Sequence, residues 1–383
     1  MMNIAIVVVA YNRVDSVKAL LNSLNQAYYD QDVPLIISVD KSDTDAVEKF
    51  ADSFVWKFGE KRVVKFTQNQ GLKSHILGIG KYTEEYDALI VLEDDLIVSP
   101  CFFNYAKSTM VKYSDCQEIA GISLYNFHFN NYMALPFSPQ KDEYDVYMMQ
   151  IAQSWGQIWM KRQWKEFMDW YNNNNDEFGL QPHLPWNICM WGKNSWLKYH
   201  NKYCIENNKF FVYPYVSLTT NSGAAGMHSK MPTNLTQVSV QLGNKHNYYL
   251  PDYHNATKYD GFYENISLKD IFHLDGELCV DLYGLKKNNT GSRYLLTTEH
   301  LDYKILQSYG LQYYPIEENV LKQVSGNSIY LYDTSVNVKN TLPDNTFDLV
   351  NFYFKIRGIY TLIKRKGIVK ILGGLLKVFT RKY

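Results

Sequence analysis

The sequence has no paired cysteines, no long uncharged apolar run, no net charge and no glycine behind its first apolar segment. Each shortage removes a class of protein. Its five cysteines, Cys101, Cys116, Cys189, Cys204 and Cys279, form no CxxC and are odd in number. That spacing argues against a disulfide framework and a structural zinc site, and it predicts free thiols in a reducing compartment. The opening, Met1 to Tyr11, is apolar but too short and too uncharged at its head for a signal peptide or membrane anchor. Cytoplasmic residence is the expectation, and the sequons at Asn234, Asn255, Asn265 and Asn288 are read as chance. Lys plus Arg and Asp plus Glu both total 39, so bulk charge gives no reason to expect nucleic acid as a partner.

What is present describes a folded protein. Of 383 residues 46% are hydrophobic and 20% charged, which suits one large domain with a smaller one appended. Asn3–Ala10 is a β-branched run of the kind a buried parallel strand requires. Val17, Leu20, Leu21 and Leu24 then recur at helical spacing, with Asp15 as a candidate N-cap. Strands follow at 35–39, 62–66 and 88–92, and helices at 43–54 and 71–82. This alternation predicts a doubly wound α/β sheet, whose ligands bind at the carboxyl ends of the strands. Four polar clusters fall at those ends: Tyr11-Asn12-Arg13, Asp40, Asn69-Gln70-Gly71 and Glu93-Asp94-Asp95. From about residue 140 the chain turns aromatic, with Trp155, Trp159, Trp164, Trp170, Trp186, Trp191 and Trp196 close together. Beyond about 236 the alternation stops, and strands at 279–283, 293–297 and 328–332 suggest a small α+β region. The expected division is 1–235, 236–348 and a tail, 349–383.

Three consecutive carboxylates at the end of an apolar strand cannot be core, because burying unpaired charge is prohibitive. Glu93, Asp94 and Asp95 must face water or bind a cation. A hard divalent ion bridging a diphosphate wants one or two carboxylates plus phosphate oxygens and water. Arg13 has the fork that pairs with a diphosphate, and the Tyr11 ring can stack on a base. Asp40 is a plausible acceptor for a base or ribose donor. His228, after the small-residue stretch Ser222–Met227, either completes a metal site or is structural. The tryptophans either stack sugar faces or pack a core.

The segment Leu89–Phe103 (LIVLEDDLIVSPCFF) resembles the acidic metal motif of GT-A glycosyltransferases. The nearest likeness is to the N-acetylglucosaminyltransferase I family and its bacterial family 2-like relatives. Val8–Arg13 is similar to their nucleotide-binding start, Ser38–Asp40 to a second nucleotide contact and Asn69–Lys73 to a third. Ser154–Trp159 is similar to their tryptophan-rich segment; Tyr213-Pro214, Asn221–Gly223 and Met227–Ser229 follow in the same order. The resemblance spans about 2–232. It implies a Rossmann-like GT-A fold with a doubly wound mixed sheet and a nucleotide-sugar donor, a UDP-sugar by preference. It further implies Mn2+ or Mg2+, and inversion by direct displacement onto a glycan or lipid-linked saccharide in surface polysaccharide synthesis. By the resemblance, Asp95 is the principal metal ligand with His228 completing the site. Ala10, Tyr11, Arg13, Asp40, Asn69, Lys73, Glu93 and Asp94 surround the donor. One departure stands out. Where the animal enzymes carry a catalytic aspartate, this chain has Ser195-Trp196-Leu197-Lys198. The general base is therefore open among Asp169, Asp176, Glu177 and His200. Two other readings remain: a nucleotide-sugar-binding module that has lost its base, and a sugar nucleotidyltransferase. The latter would want glycines after the first strand, which Ala10–Asp15 lacks.

The last 35 residues carry nine Lys or Arg and no Asp or Glu, interleaved with Ile, Leu, Val and Phe. No uncharged run there reaches the roughly 20 residues needed to span a bilayer. An amphipathic stretch of this kind lies in the interface, each basic residue near anionic lipid contributing about 1 kcal/mol. The expectation is peripheral attachment at the inner face of the cell membrane. The full chain should pellet with anionic but not neutral vesicles, and less so at high salt. A version ending at Asp348 should stay in solution, and equal pelleting of both would remove the membrane role.

Overall fold

Seven consecutive apolar residues, Ile4–Ala10, form β1, and all are buried. A strand buried on both faces needs cover on both, and the elements that follow supply it. The computed structural model describes residues 2–223, 234–286, 291–354, 360, 363–364 and 367–372. They fall into two units. The first takes in the described residues up to 132, then 138–223 and 234–267; the second takes 133–137 and the described residues from 268 onward. Residues 234–267 thus belong with the first unit, beyond the boundary at 235 that the sequence suggests.

In the first unit, α1 (Val14–Asn25) buries Val17, Leu20, Leu21 and Leu24, the positions the periodicity selects. Asp15 is not its N-cap: Arg13 holds that place without a side-chain cap, and Asp15 lies in the exposed first turn. β2 (Leu35–Val39), α2 (Ala46–Ser53), β3 (Lys61–Lys65), α3 (Leu72–Ile79) and β4 (Ala88–Glu93) continue the alternation. β5 (Leu96–Val98), α4 (Phe102–Tyr113), β6 (Ile119–Ser123), β7 (Val146–Met149) and β8 (Gln157–Met160) come next. α5 (Lys161–Asn173), α6 (Trp196–Glu206), β9 (Phe210–Pro214), β10 (Thr219–Asn221) and β11 (Lys258–Tyr259) complete the unit.

Nine of these strands form one sheet in the order β11-β7-β9-β6-β8-β4-β1-β2-β3. β4, β1, β2 and β3 run parallel, and β8 is antiparallel to both β4 and β6, which makes the sheet mixed. β11 helps hold residues 234–267 to the unit by pairing with β7 at the sheet's edge, and the Tyr113 hydroxyl donates to the Pro251 carbonyl at 2.9 Å. β5 and β10 form a separate antiparallel pair, with Asn221 opposite Leu96.

Part of the tryptophan-rich segment is core, with Trp155, Trp170 and Trp191 half-buried. Trp159, Trp164 and Trp196 are buried, and the Trp159 and Trp164 rings stack at 3.9 Å. Trp164 lies on Gly80, where an added Cβ would sit 1.7 Å from the indole nitrogen. Trp186 differs, being 53% exposed.

His200 belongs to the same layer. It is 1% exposed, stacks on Phe167 at 4.1 Å, and meets Phe211 edge-on at 5.2 Å. Neither ring nitrogen has a hydrogen-bond partner among the described residues.

The second unit is built on a four-stranded sheet. Its strands are β12 (Leu278–Asp281), β13 (Tyr294–Thr297), β14 (Tyr303–Tyr309) and β15 (Ile329–Asn337), in the order β12-β13-β15-β14. Val280, Leu296, Ile329 and Leu331 form its core with Ile316 and Val320. Helix α7 (Thr346–Tyr353) places Phe352 and Tyr353 against that core, and Asp348 accepts from the Ser328 hydroxyl at 2.9 Å. The basic tail therefore does not separate at Leu349, and Phe354 is the better end-point for a truncated chain. Most of the tail lies outside the described residues, as does Asn288.

Burial pushes the His200 imidazole down to about 3, below its ordinary value near 6.5. A depressed histidine keeps its full contribution to stability above the unfolded value and loses it as pH falls from about 6.5 toward about 3. His200→Phe keeps a ring in the stack and removes the titration. Between pH 7.5 and 5, stability of the parent relative to this variant should drop by about 2 kcal/mol, read from urea midpoints. Equal acid sensitivity in both would exclude His200 as the source.

Candidate active site

Parallel pairing puts four strand ends at one level. Val9 lies opposite Glu93, Ala10 opposite Val39 and Val39 opposite Lys65. The residues that follow, Tyr11–Arg13, Asp40, 66–71 and Asp94-Asp95, therefore leave the sheet side by side.

The acidic triplet divides into three environments. Asp94 is 4% exposed and pairs with the Arg13 guanidinium, while its other oxygen faces the Tyr11 N–H at 3.4 Å. Burial raises the Asp94 pKa, Asp95 adds to the rise, and Arg13 works against it. Asp95 receives the other arm of Arg13 through Oδ2 at 3.0 Å, and its Oδ1 is buried without a partner. Glu93 lines a small recess with Ser154, Gln157, Trp159 and Trp196. Desolvation pushes its carboxyl up to about 8, with Asp95 and then Asp94 contributing. Arg13 is itself held above its usual value: burial lowers it, but Asp94 and Asp95 outweigh that.

Asp40 is spent on backbone. Its Oδ1 accepts from the Lys41 and Gln70 N–H groups, both at 2.8 Å, and its Oδ2 from Gly71 N–H at 3.1 Å. The Asn69 side chain returns the bond, donating to the Lys41 carbonyl at 2.9 Å. These contacts clasp the loops after β2 and β3 and set Gly71, at φ +72°, as the N-cap of α3. A left-handed residue there favours glycine. Asp40 is thus a builder of the site's rim, with little surface of its own to offer a nucleotide. Lys73 is also engaged, donating to the Lys193 carbonyl at 3.3 Å with its ammonium 4.2 Å from the Tyr199 ring centroid. Ala10 is buried within the strand, and Tyr11 is half-buried.

The candidate bases part company. His200 is in the aromatic core, neutral and out of reach, which corrects its place in that set. Asp169 is exposed and paired with Lys165 one helical turn away at 2.5 Å. Asp176 and Glu177 lie exposed on the loop after α5. His228 lies outside the described residues; shortly before it, the Ser222 N–H donates to the Asp95 carbonyl at 2.7 Å.

Two features escape a sequence reading. Ser38 hydrogen-bonds His75 at 2.7 Å beneath Asp40, and burial lowers the His75 pKa. Lys198 is buried, its ammonium donating to the carbonyls of Phe178 at 2.8 Å, Cys189 at 3.1 Å and Trp191 at 3.0 Å. Nothing in a lone lysine's spacing signals this, although a lysine on the apolar face of α6 is the trace it leaves.

Residues 5–104 match the model of Glycosyl transferase family 2. That segment resembles a family 2 glycosyltransferase domain. The match runs from β1 into α4 and takes in every strand end described above. With the mixed sheet, it gives the first unit the GT-A fold. Among solved structures the chain resembles TarS 1–349 of S. aureus, at 13% identity and a TM-score of 0.39 over 58% of this chain and 61% of that one. It also resembles the mannosyltransferase PcManGT of Pyrobaculum calidifontis, solved with GDP-Man and Mn2+, at 11% identity and 0.33 over 56% and 57%. A third is GalNAc-T7, solved with UDP, GalNAc and Mn2+, at 12% identity and 0.37 over 56% and 43%. The chain thus spans about six-tenths of the TarS structure it matches. No curated protein matches the sequence.

The clasp at the rim of the site can be tested on stability. Asp40→Ala leaves three N–H donors without their acceptor and should cost about 2–3 kcal/mol in urea unfolding without ligand. A residue that served only to touch a nucleotide would leave that unfolding unchanged.

Proposed function

We propose that the chain is a metal-dependent, inverting glycosyltransferase that moves a sugar from a nucleotide-diphosphate sugar, a UDP-sugar by preference, to a glycan acceptor. The observation that carries the reading is Asp95. One of its oxygens is buried and unpartnered at the end of β4, beside Arg13, inside the segment that matches family 2. An orphaned carboxylate oxygen is costly unless something arrives to use it. Asp95 would hold Mn2+ or Mg2+ with Asp94 next to it. Among the described residues no three His, Cys, Asp or Glu side chains converge, so the remaining ligands would be diphosphate oxygens and water. When bound, such an ion neutralises charge on the departing nucleoside diphosphate.

The chain's own residues divide the rest. Arg13 pairs with diphosphate oxygens through its fork, and Tyr11 offers a ring to the base. Asp40 and Asn69 hold the rim, Lys73 ties α3 to the segment at Lys193, and Glu93 lies under the donor sugar. Asp169, Asp176 and Glu177 are the carboxylates left to take the acceptor proton. Exposed Trp186 offers a face to an acceptor sugar. His228 as a further ligand, a lipid-linked acceptor, surface polysaccharide as product and attachment at the inner membrane face belong to the same proposal. No helix among the described residues is long and apolar enough to cross a membrane. The missing carboxylate at Ser195–Lys198 favours one second reading, a nucleotide-sugar-binding module without turnover.

A panel of nucleotide sugars scored for UDP or GDP release separates the two. A transferase should release nucleotide from one donor with Mn2+ present and lose that release in EDTA. Asp95→Ala should lower it by a factor on the order of 10²–10³. Ligand-free stability should change by less than about 1 kcal/mol, since Arg13 keeps Asp94. Full turnover in EDTA would exclude the metal; nucleotide binding with no release from any donor would leave the binding module.

A further inference from the structure

Arg13 sits where a metal ion would be expected to act. Its guanidinium spans Asp94 Oδ1 and Asp95 Oδ2, and among the described residues it is the only cation paired with either carboxylate. The pairing is lopsided, because Asp95 Oδ1 stays buried and unpartnered on the far side of the same carboxylate. The Arg13 side chain keeps 27% of its surface open, so it has room to turn away once another positive charge stands beside Asp94. It also precedes α1 at a position where no side-chain cap ties it down.

We propose that Arg13 is a resident counter-ion that competes with the metal for Asp95, and that a nucleoside diphosphate admits the metal by drawing Arg13 away. The inference rests on the metal-dependent reading above. A divalent ion approaching alone meets a guanidinium already on the carboxylates and is repelled by it. A diphosphate offers that guanidinium a bidentate partner of higher charge density. Once Arg13 turns to the phosphates, Asp95 has both oxygens free, and the ion finds carboxylate and diphosphate ligands together. The orphaned Oδ1 is then the mark of a site kept incomplete until donor arrives. Binding is coupled, and by linkage the metal tightens the nucleotide by the factor the nucleotide tightens the metal.

The test reads Mn2+ binding directly, by electron paramagnetic resonance of the free ion, with and without UDP and corrected for UDP's own affinity for Mn2+. The parent should bind Mn2+ weakly alone and more tightly with UDP. Arg13→Met should bind Mn2+ alone about tenfold more tightly than the parent, and UDP should tighten it by a smaller factor. Arg13→Lys, which keeps the charge but loses the fork, should fall between the two, and it carries the test if the Met variant does not fold. Mn2+ affinity in both variants no higher than in the parent, or an unchanged UDP effect, would overturn the exchange while leaving the metal assignment intact. A parent that takes up no Mn2+ even with UDP would overturn both.

Discussion

A carboxylate removed from water needs a positive charge beside it, and this constraint organises the first unit. Asp94 is nearly inaccessible at the end of β4, and Arg13, at the end of neighbouring β1, supplies the charge. The pairing is available only because β1 and β4 run parallel in a register that places Val9 opposite Glu93. A slip of one residue would move the end of β1, and Arg13 with it, away from the level of Asp94. The same level of strand ends brings Asp40 within reach of the Gln70 and Gly71 N–H groups. Register, ion pair and loop clasp are therefore one construction, and it leaves one Asp95 oxygen without a hydrogen-bond partner.

Much of this is legible in the chain. The apolar runs of β1, β2 and β4 and the spacing of Val17, Leu20, Leu21 and Leu24 in α1 foretell the elements, because burial on two faces leaves an unbroken run and burial on one stripe a periodic one. The polar strand ends foretell the location of the site. What each polar residue does there is less visible. Asp40 reads as a nucleotide acceptor, and its role as a clasp stays hidden, since a carboxylate's partners can be backbone N–H groups that every sequence contains. The acidic triplet reads as solvent-facing or cation-binding throughout, whereas Asp94 is buried against Arg13 and the three carboxylates have three different surroundings. β14 leaves no trace because it lies at a sheet edge with Lys304 and Gln307 exposed.

In the second half of the first unit composition leaves two readings open, and the structure divides them by residue. A dense run of tryptophans suits either sugar stacking or a core, and Trp159, Trp164 and Trp196 pack among themselves over Gly80. His200 is drawn into that layer as a ring among rings, and the cost is a pair of unpartnered nitrogens. Polar atoms stranded inside an aromatic layer are expensive, so stacking contacts with Phe167 and Phe211 must outweigh them there.

Lys198 holds the segment from Phe178 to Trp191 by three main-chain carbonyls. An anchor of that kind does not sense which side chains the segment carries at its outward positions, Leu180, Trp186 and Met190, all of them exposed. Shape and surface chemistry are therefore separable in this loop. Substitutions at those three positions can accumulate without penalty to the backbone path, so descendants of one ancestor can diverge in what the loop meets while inheriting how it is hung.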